Sequence, residues 1–206
     1  ESTPSAPMAR KPRRKAPTPA PVVEEAIPEA TPASSEGPWI TRLVIVRHAI
    51  AKDAKDGDPF QDAERQLTKG GKRRAAAAMR GLVRLGHAPG LILTSPLLRA
   101  TQTAELLAKA AHVDPASIEV TGTLLPDAES SAILDLIGAR ADVPSIVAVV
   151  GHNDHVERLV HQLGGGTVIL KKASAAVLDV VYQAGVVSVS ALIALYPPKA
   201  LRALGE

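Results

Sequence analysis

The chain has 206 residues, a formal net charge of +3 and an apolar share of 46%, enough for one domain with a sizeable core, with or without a tail. It contains no cysteine, which excludes disulfides, zinc–thiolate sites and cysteine nucleophiles and agrees with a reducing compartment. One Trp, two Tyr and one Phe make no stacking platform for single-stranded nucleic acid, and so small a charge does not by itself mark a nucleic-acid binder. No apolar run approaches the roughly 20 residues of a membrane span, and no signal-type apolar core stands at the N-terminus. The expectation is a soluble, cytoplasmic protein with neither membrane nor nucleic-acid partner.

Residues 1–38 are rich in Pro, Ala and small polar residues, with a basic run ARKPRRK followed by Glu24, Glu25 and Glu29. Such a segment buries too little to offset its ordering entropy, so a disordered tail is expected before a folded domain at 39–206. Met8 offers a start within it. The β-branched run ITRLVIV (40–46) reads as a strand. Residues 67–86 read as a helix with Ala75, Met79, Leu82 and Val83 on one face, Thr68 as N-cap and Gly86 as stop. LILTS (91–95) is a second strand. The next helix, 95–112, is expected to start with Ser95 at the cap and Pro96 in its first turn. IEV (118–120) is a short strand, and 130–140 a helix capped by serine. SIVAVV (145–150) is a further strand, running into GHNDH and a helix over HVERLVHQL. Gly164–Gly166 break the chain, and 175–182 and 186–196 read as a C-terminal antiparallel hairpin. Strands alternating with helices predict an α/β three-layer sandwich: a mostly parallel mixed sheet, helices on both faces and the hairpin at one edge.

Ligands of open α/β sheets bind beyond the carboxyl ends of the strands. Three apolar strands here end in groups suited to an anion: Arg47-His48, Thr94-Ser95 with Arg99 close behind, and Gly151-His152. Two guanidiniums can hold a phosphoryl group bidentately. A neutral imidazole can attack phosphorus to give a phosphohistidine that water cleaves, and a second imidazole, if protonated, can hold a non-bridging oxygen. That kit requires no metal or other cofactor.

Arg47-His48 after a strand, Arg65 to Gly71 (RQLTKGG), the run TSPLLRATQTAELLA, VVGH and the late YPPKAL together resemble the histidine phosphatase superfamily, with a phosphoglycerate mutase-like fold. The chain is most similar to the short bacterial SixA-type phosphohistidine phosphatases. The resemblance implies that His48 is the nucleophile, that Arg47, Arg99 and His152 bind phosphate, and that the substrate is phosphohistidine on a signalling phosphotransfer protein, with inorganic phosphate as product. Two features depart from the commonest pattern. Ala49 stands where the family triplet usually has Gly, and TGTLLPDAESSA gives no clear acid for the leaving group. Asp127 and Glu129 are the candidates, with Asp53 a weaker one. A missing acid favours an N–P bond over a sugar phosphate ester, because an imidazole leaves more easily than an alkoxide.

The alternatives are a small-molecule phosphomonoesterase, which needs a working carboxylate, and a non-catalytic module that binds phosphate or a phosphoprotein. His152, Asp154 and His155 have a metal-ligand pattern, but Asn153 or Asp154 as a helix cap explains them better, and no metal site is expected. Lys72, Arg73 and Arg74 form a basic helix face, and Lys171-Lys172 a second basic spot; either can steer a phosphoprotein.

Overall fold

The computed structural model describes residues 37–53, 62–164 and 166–206. The expected tail lies outside the described residues except for residues 37 and 38. The elements are β1 (Trp39–Arg47), α1 (Lys69–Arg84), β2 (Leu91–Thr94), α2 (Leu98–Ala111), β3 (Ile118–Val120), α3 (Ala132–Gly138), β4 (Ile146–Gly151), α4 (Asn153–Gly164), β5 (Ala175–Gln183), β6 (Val186–Tyr196) and α5 (Pro198–Gly205). They build one six-stranded sheet in the order β3-β2-β4-β1-β5-β6. The pairs β1–β4, β2–β4 and β2–β3 are parallel, and β1–β5 and β5–β6 antiparallel. The mixed sheet and edge hairpin agree with the expectation. Ala184 and Gly185, both at positive φ (50° and 78°), close the hairpin, a geometry that matches strand twist.

Strand alternation explains the layers. In β1, Leu43 and Ile45 join the core under α3 and α4, while Val44 and Val46 join the core under α1, α2 and α5. The central strands are buried on both faces, as parallel strands between helices must be. Trp39 stacks on Tyr182 of β5, ring centroids 4.3 Å apart and planes within 7°.

Two helices meet their neighbours through glycine. A Cβ on Gly71 would clash with the Ile50 carbonyl oxygen, so only glycine lets the first turn of α1 rest on the chain leaving β1. A Cβ on Gly81 would meet the Leu201 carbonyl, so α5 packs directly on the α1 backbone.

The caps show where local reading succeeds and fails. Thr68 caps α1, its hydroxyl accepting from Gly71 N. Ser95 does not cap α2: that helix starts at Leu98 after Leu97, with no side-chain cap, and the Ser95 hydroxyl is engaged elsewhere. Ser131 precedes α3 without a capping bond. Asn153 does not cap α4 but is its first residue, and its Nδ2 donates to Asp154.

Candidate active site

The parallel register brings the strand ends together. Arg47 is paired with Gly151 and Thr94 with Val150, so the residues that follow emerge side by side. His48 N donates to Gly151 O at 3.0 Å, and Ser95 N to Val150 O at 3.1 Å. The His48 and His152 rings then face each other, centroids 5.1 Å apart and tilted by 54°.

The chain after β1 is tied down by the run predicted to carry the second arginine. Ala49 N donates to Thr103 Oγ1 (3.1 Å), and the Thr103 hydroxyl donates to the Arg99 carbonyl (2.7 Å). Gln102 Oε1 accepts from Leu67 N at 2.8 Å, anchoring the RQLTKGG segment to α2. Ala49 is fully packed and its φ is not positive, so its Cβ adds no backbone strain.

His48 is buried, and its Nδ1 lies 2.8 Å from Ala49 O. A carbonyl only accepts, so Nδ1 carries the proton and Nε2 the lone pair. Burial, with the positive charges of Arg99, Arg47 and Lys172, holds the His48 pKa down to about 4. His152 is held down to about 3, by burial first and then by His48 and Arg99. Both imidazoles are therefore neutral at neutral pH, so the protonation that a cationic second imidazole requires is not met at His152. His152 Nε2 and Ser95 Oγ are 2.8 Å apart.

Arg47 donates through Nη1 to Leu170 O (2.6 Å), and its buried Nε has no partner among the described residues. Burial lowers the Arg47 pKa against the pull of Glu157 and Asp154. Arg99 is 5% exposed; its Nη1 donates to Asp62 O (2.8 Å) and its Nη2 to Asp62 Oδ2 (3.1 Å). Asp62 also accepts from Arg65 Nη1 at 2.8 Å, and the two arginines hold its carboxyl below the usual range. The four predicted residues thus converge.

The predicted acids do not. Asp127 and Glu129 are exposed on a loop whose Pro126 and Ala128 carbonyls accept from Arg158 on α4, and neither carboxylate makes an ion pair among the described residues. Asp53 is exposed as well. The carboxylate at the cluster is Asp62, which the sequence reading missed; its signal was the Asp62–Arg65 spacing of three, just ahead of the RQLTKGG segment.

His155 is fully buried against the backbone of Glu129 and Thr123, and burial lowers its pKa. Among the described residues no group of three His, Asp or Glu is gathered to hold a metal ion. Among those residues, too, no helix is long and apolar enough to cross a membrane.

Residues 43–123 match the family model of the histidine phosphatase superfamily (branch 1). An uncharacterised protein of Picosynechococcus sp. is 37% identical over 137 residues, covering 64% of this chain and 80% of that protein. The crystal structure of SixA from Agrobacterium tumefaciens, a candidate phosphohistidine phosphatase, is 28% identical with a TM-score of 0.62, covering 77% of this chain and 98% of that one. The structure of the protein histidine phosphatase SixA complexed with tungstate shares the fold, at a TM-score of 0.62, 24% identity, and coverage of 78% and 99%. The chain belongs to the histidine phosphatase superfamily, with the phosphoglycerate mutase-like fold, and is a phosphatase acting on a phosphorylated substrate.

Proposed function

We propose that this phosphatase removes phosphate from phosphohistidine on a phosphotransfer protein, through a covalent intermediate on His48 and without a metal. The observation that carries the reading is the His48 tautomer: with Nδ1–H held by Ala49 O, the Nε2 lone pair of a neutral ring lies beside His152 and within the field of Arg99 and Arg47. In the first step Nε2 attacks phosphorus and the P–N bond of the substrate breaks. The substrate imidazole, protonated on its other nitrogen, leaves neutral with the bonding pair. In the second step water attacks phosphorus, the pair returns to Nε2, and the water proton passes to solvent with the phosphate product. Arg47, Arg99 and His152 hold the non-bridging oxygens throughout, and the two guanidiniums supply the charge a metal otherwise would.

The carboxylates favour an N–P substrate. Asp127 and Glu129 are exposed with no ion pair among the described residues, and Asp62 is kept ionised between two arginines, so it has no proton to donate at neutral pH. A leaving group that departs unaided fits imidazole and not an alkoxide.

Alkaline quench, under which a P–N bond survives, after mixing with a phosphorus-labelled phosphohistidine peptide tests the reading. Label should be trapped on His48, and His48→Ala should lose both the label and the turnover. Label on another residue, or unchanged turnover in His48→Ala, rejects it.

A further inference from the structure

A second concentration of positive charge lies beside the imidazoles. A cavity of about 320 Å³ opens between the end of β1, α1, the 171–173 loop and α5. Arg47, Arg74, Lys171, Lys172 and Arg202 line it, with no carboxylate in its walls among the described residues. Gly71, held side-chain-free by its approach to Ile50, forms part of the wall. Among the described residues, Arg74, Lys171, Lys172 and Arg202 make no ion pair. Cations gathered in a concave site repel one another, and low-dielectric walls focus their field outward. Arg47 donates to Leu170 O, and none of these cations has a carboxylate partner among the described residues, so an anion entering the groove meets unneutralised charge.

Its position ties it to the chemistry. Arg47 lines the groove and also adjoins His48 in the chain, and the charge of Lys172 reaches the His48 ring. A substrate whose phosphoryl group meets His48 therefore has the groove at its side. Of the consecutive basic residues Lys72, Arg73 and Arg74 on α1, Arg74 lines the cavity, whereas Lys72 and Arg73 do not.

We propose that this groove is a subsite for a second anionic group, carboxylate or phosphate, carried by the same substrate. The inference rests on the phosphatase reading at His48 and narrows the substrate class to polyanions: a phosphohistidine segment flanked by acidic side chains, or a small molecule with a second phosphate.

Calorimetric titration of the full chain with orthophosphate and with tripolyphosphate tests it at fixed ionic strength. Wild type should bind tripolyphosphate at least about tenfold more tightly, an advantage one or two charge-assisted contacts provide. Arg74→Gln/Arg202→Gln should lose that advantage, and Lys72→Gln/Arg73→Gln, with the same charge removed from α1 outside the groove, should keep it. Equal affinity for both ligands in wild type, survival of the advantage in the groove variant, or equal loss in both variants overturns the proposal. Arg74 is exposed, so Arg74→Gln alone gives the same comparison should the double variant not fold. Phosphohistidine peptides with glutamate or glutamine flanks separate the sources. A kcat/KM preference for glutamate that disappears in the groove variant assigns the second group to a protein partner. Its absence alongside a tripolyphosphate advantage assigns it to a phosphate. Because titration needs no turnover, a chain that keeps the tripolyphosphate advantage but hydrolyses nothing refutes the catalytic reading alone.

Discussion

One hydrogen bond decides which nitrogen of His48 is free, and one burial decides that it is neutral. Activity should therefore rise with pH as the imidazole, held down to about 4, gives up its proton, and should be level by neutrality. The kcat/KM profile for nitrophenyl phosphate is the measurement, and an inflection near the ordinary histidine value of about 6.5 would contradict the neutral site. His152 depends on Ser95 for its orientation. Ser95→Ala should lower kcat by about tenfold, the loss expected of one hydrogen bond, and steady-state kinetics on a phosphohistidine peptide would read it. Arg47, His48 and His152 were readable in the sequence because they end or directly follow an apolar strand, and Arg99 because it opens the helix just beyond β2. Asp62 was not, because its place depends on how the chain returns from His48 to α1, and no periodicity encodes that return.

α2 does more than cover the sheet. Its Thr103 hydroxyl satisfies the buried Ala49 N–H and so holds the segment that carries His48. Thr103→Val keeps the shape but leaves that donor unpaired, which should destabilise the fold by about 1–3 kcal/mol and depress kcat as well. Chemical denaturation with activity measured on the same sample checks both effects. The helices and strands followed from periodicity, but their first residues did not. The Thr68 hydroxyl accepts from Gly71 N while donating to the Ile50 carbonyl and so caps α1, whereas Ser95 faces a histidine from another strand and α2 starts later without it. A local rule holds until a distant side chain outbids the backbone. The hairpin was legible for a similar reason: Ala184-Gly185 between two apolar runs leaves little other choice. The outward exposure of Val186, Val189 and Ile193 on β6 was not, since an apolar run does not say which face stays uncovered.

Stability of the whole molecule should fall on acidification. Between about pH 6.5 and the depressed values of about 4 for His48 and about 3 for His152, the unfolded chain binds protons that the folded chain refuses. Unfolding is therefore favoured as pH drops through that window, and Tm should decline there more steeply in wild type than in His48→Ala/His152→Ala. Inorganic phosphate should raise Tm by mass action, and more so in wild type than in Arg99→Ala; differential scanning fluorimetry at several pH values and phosphate concentrations tests both expectations.

The chain contains a single tryptophan, and it sits on the seam where the parallel half of the sheet meets the antiparallel half, face to face with Tyr182. Its emission is thus an optical gauge placed by the fold itself. A fluorescence change that runs ahead of the loss of helical circular dichroism would mean that the β5–β6 hairpin peels away first, while coincident curves would mean that the two halves come apart as one.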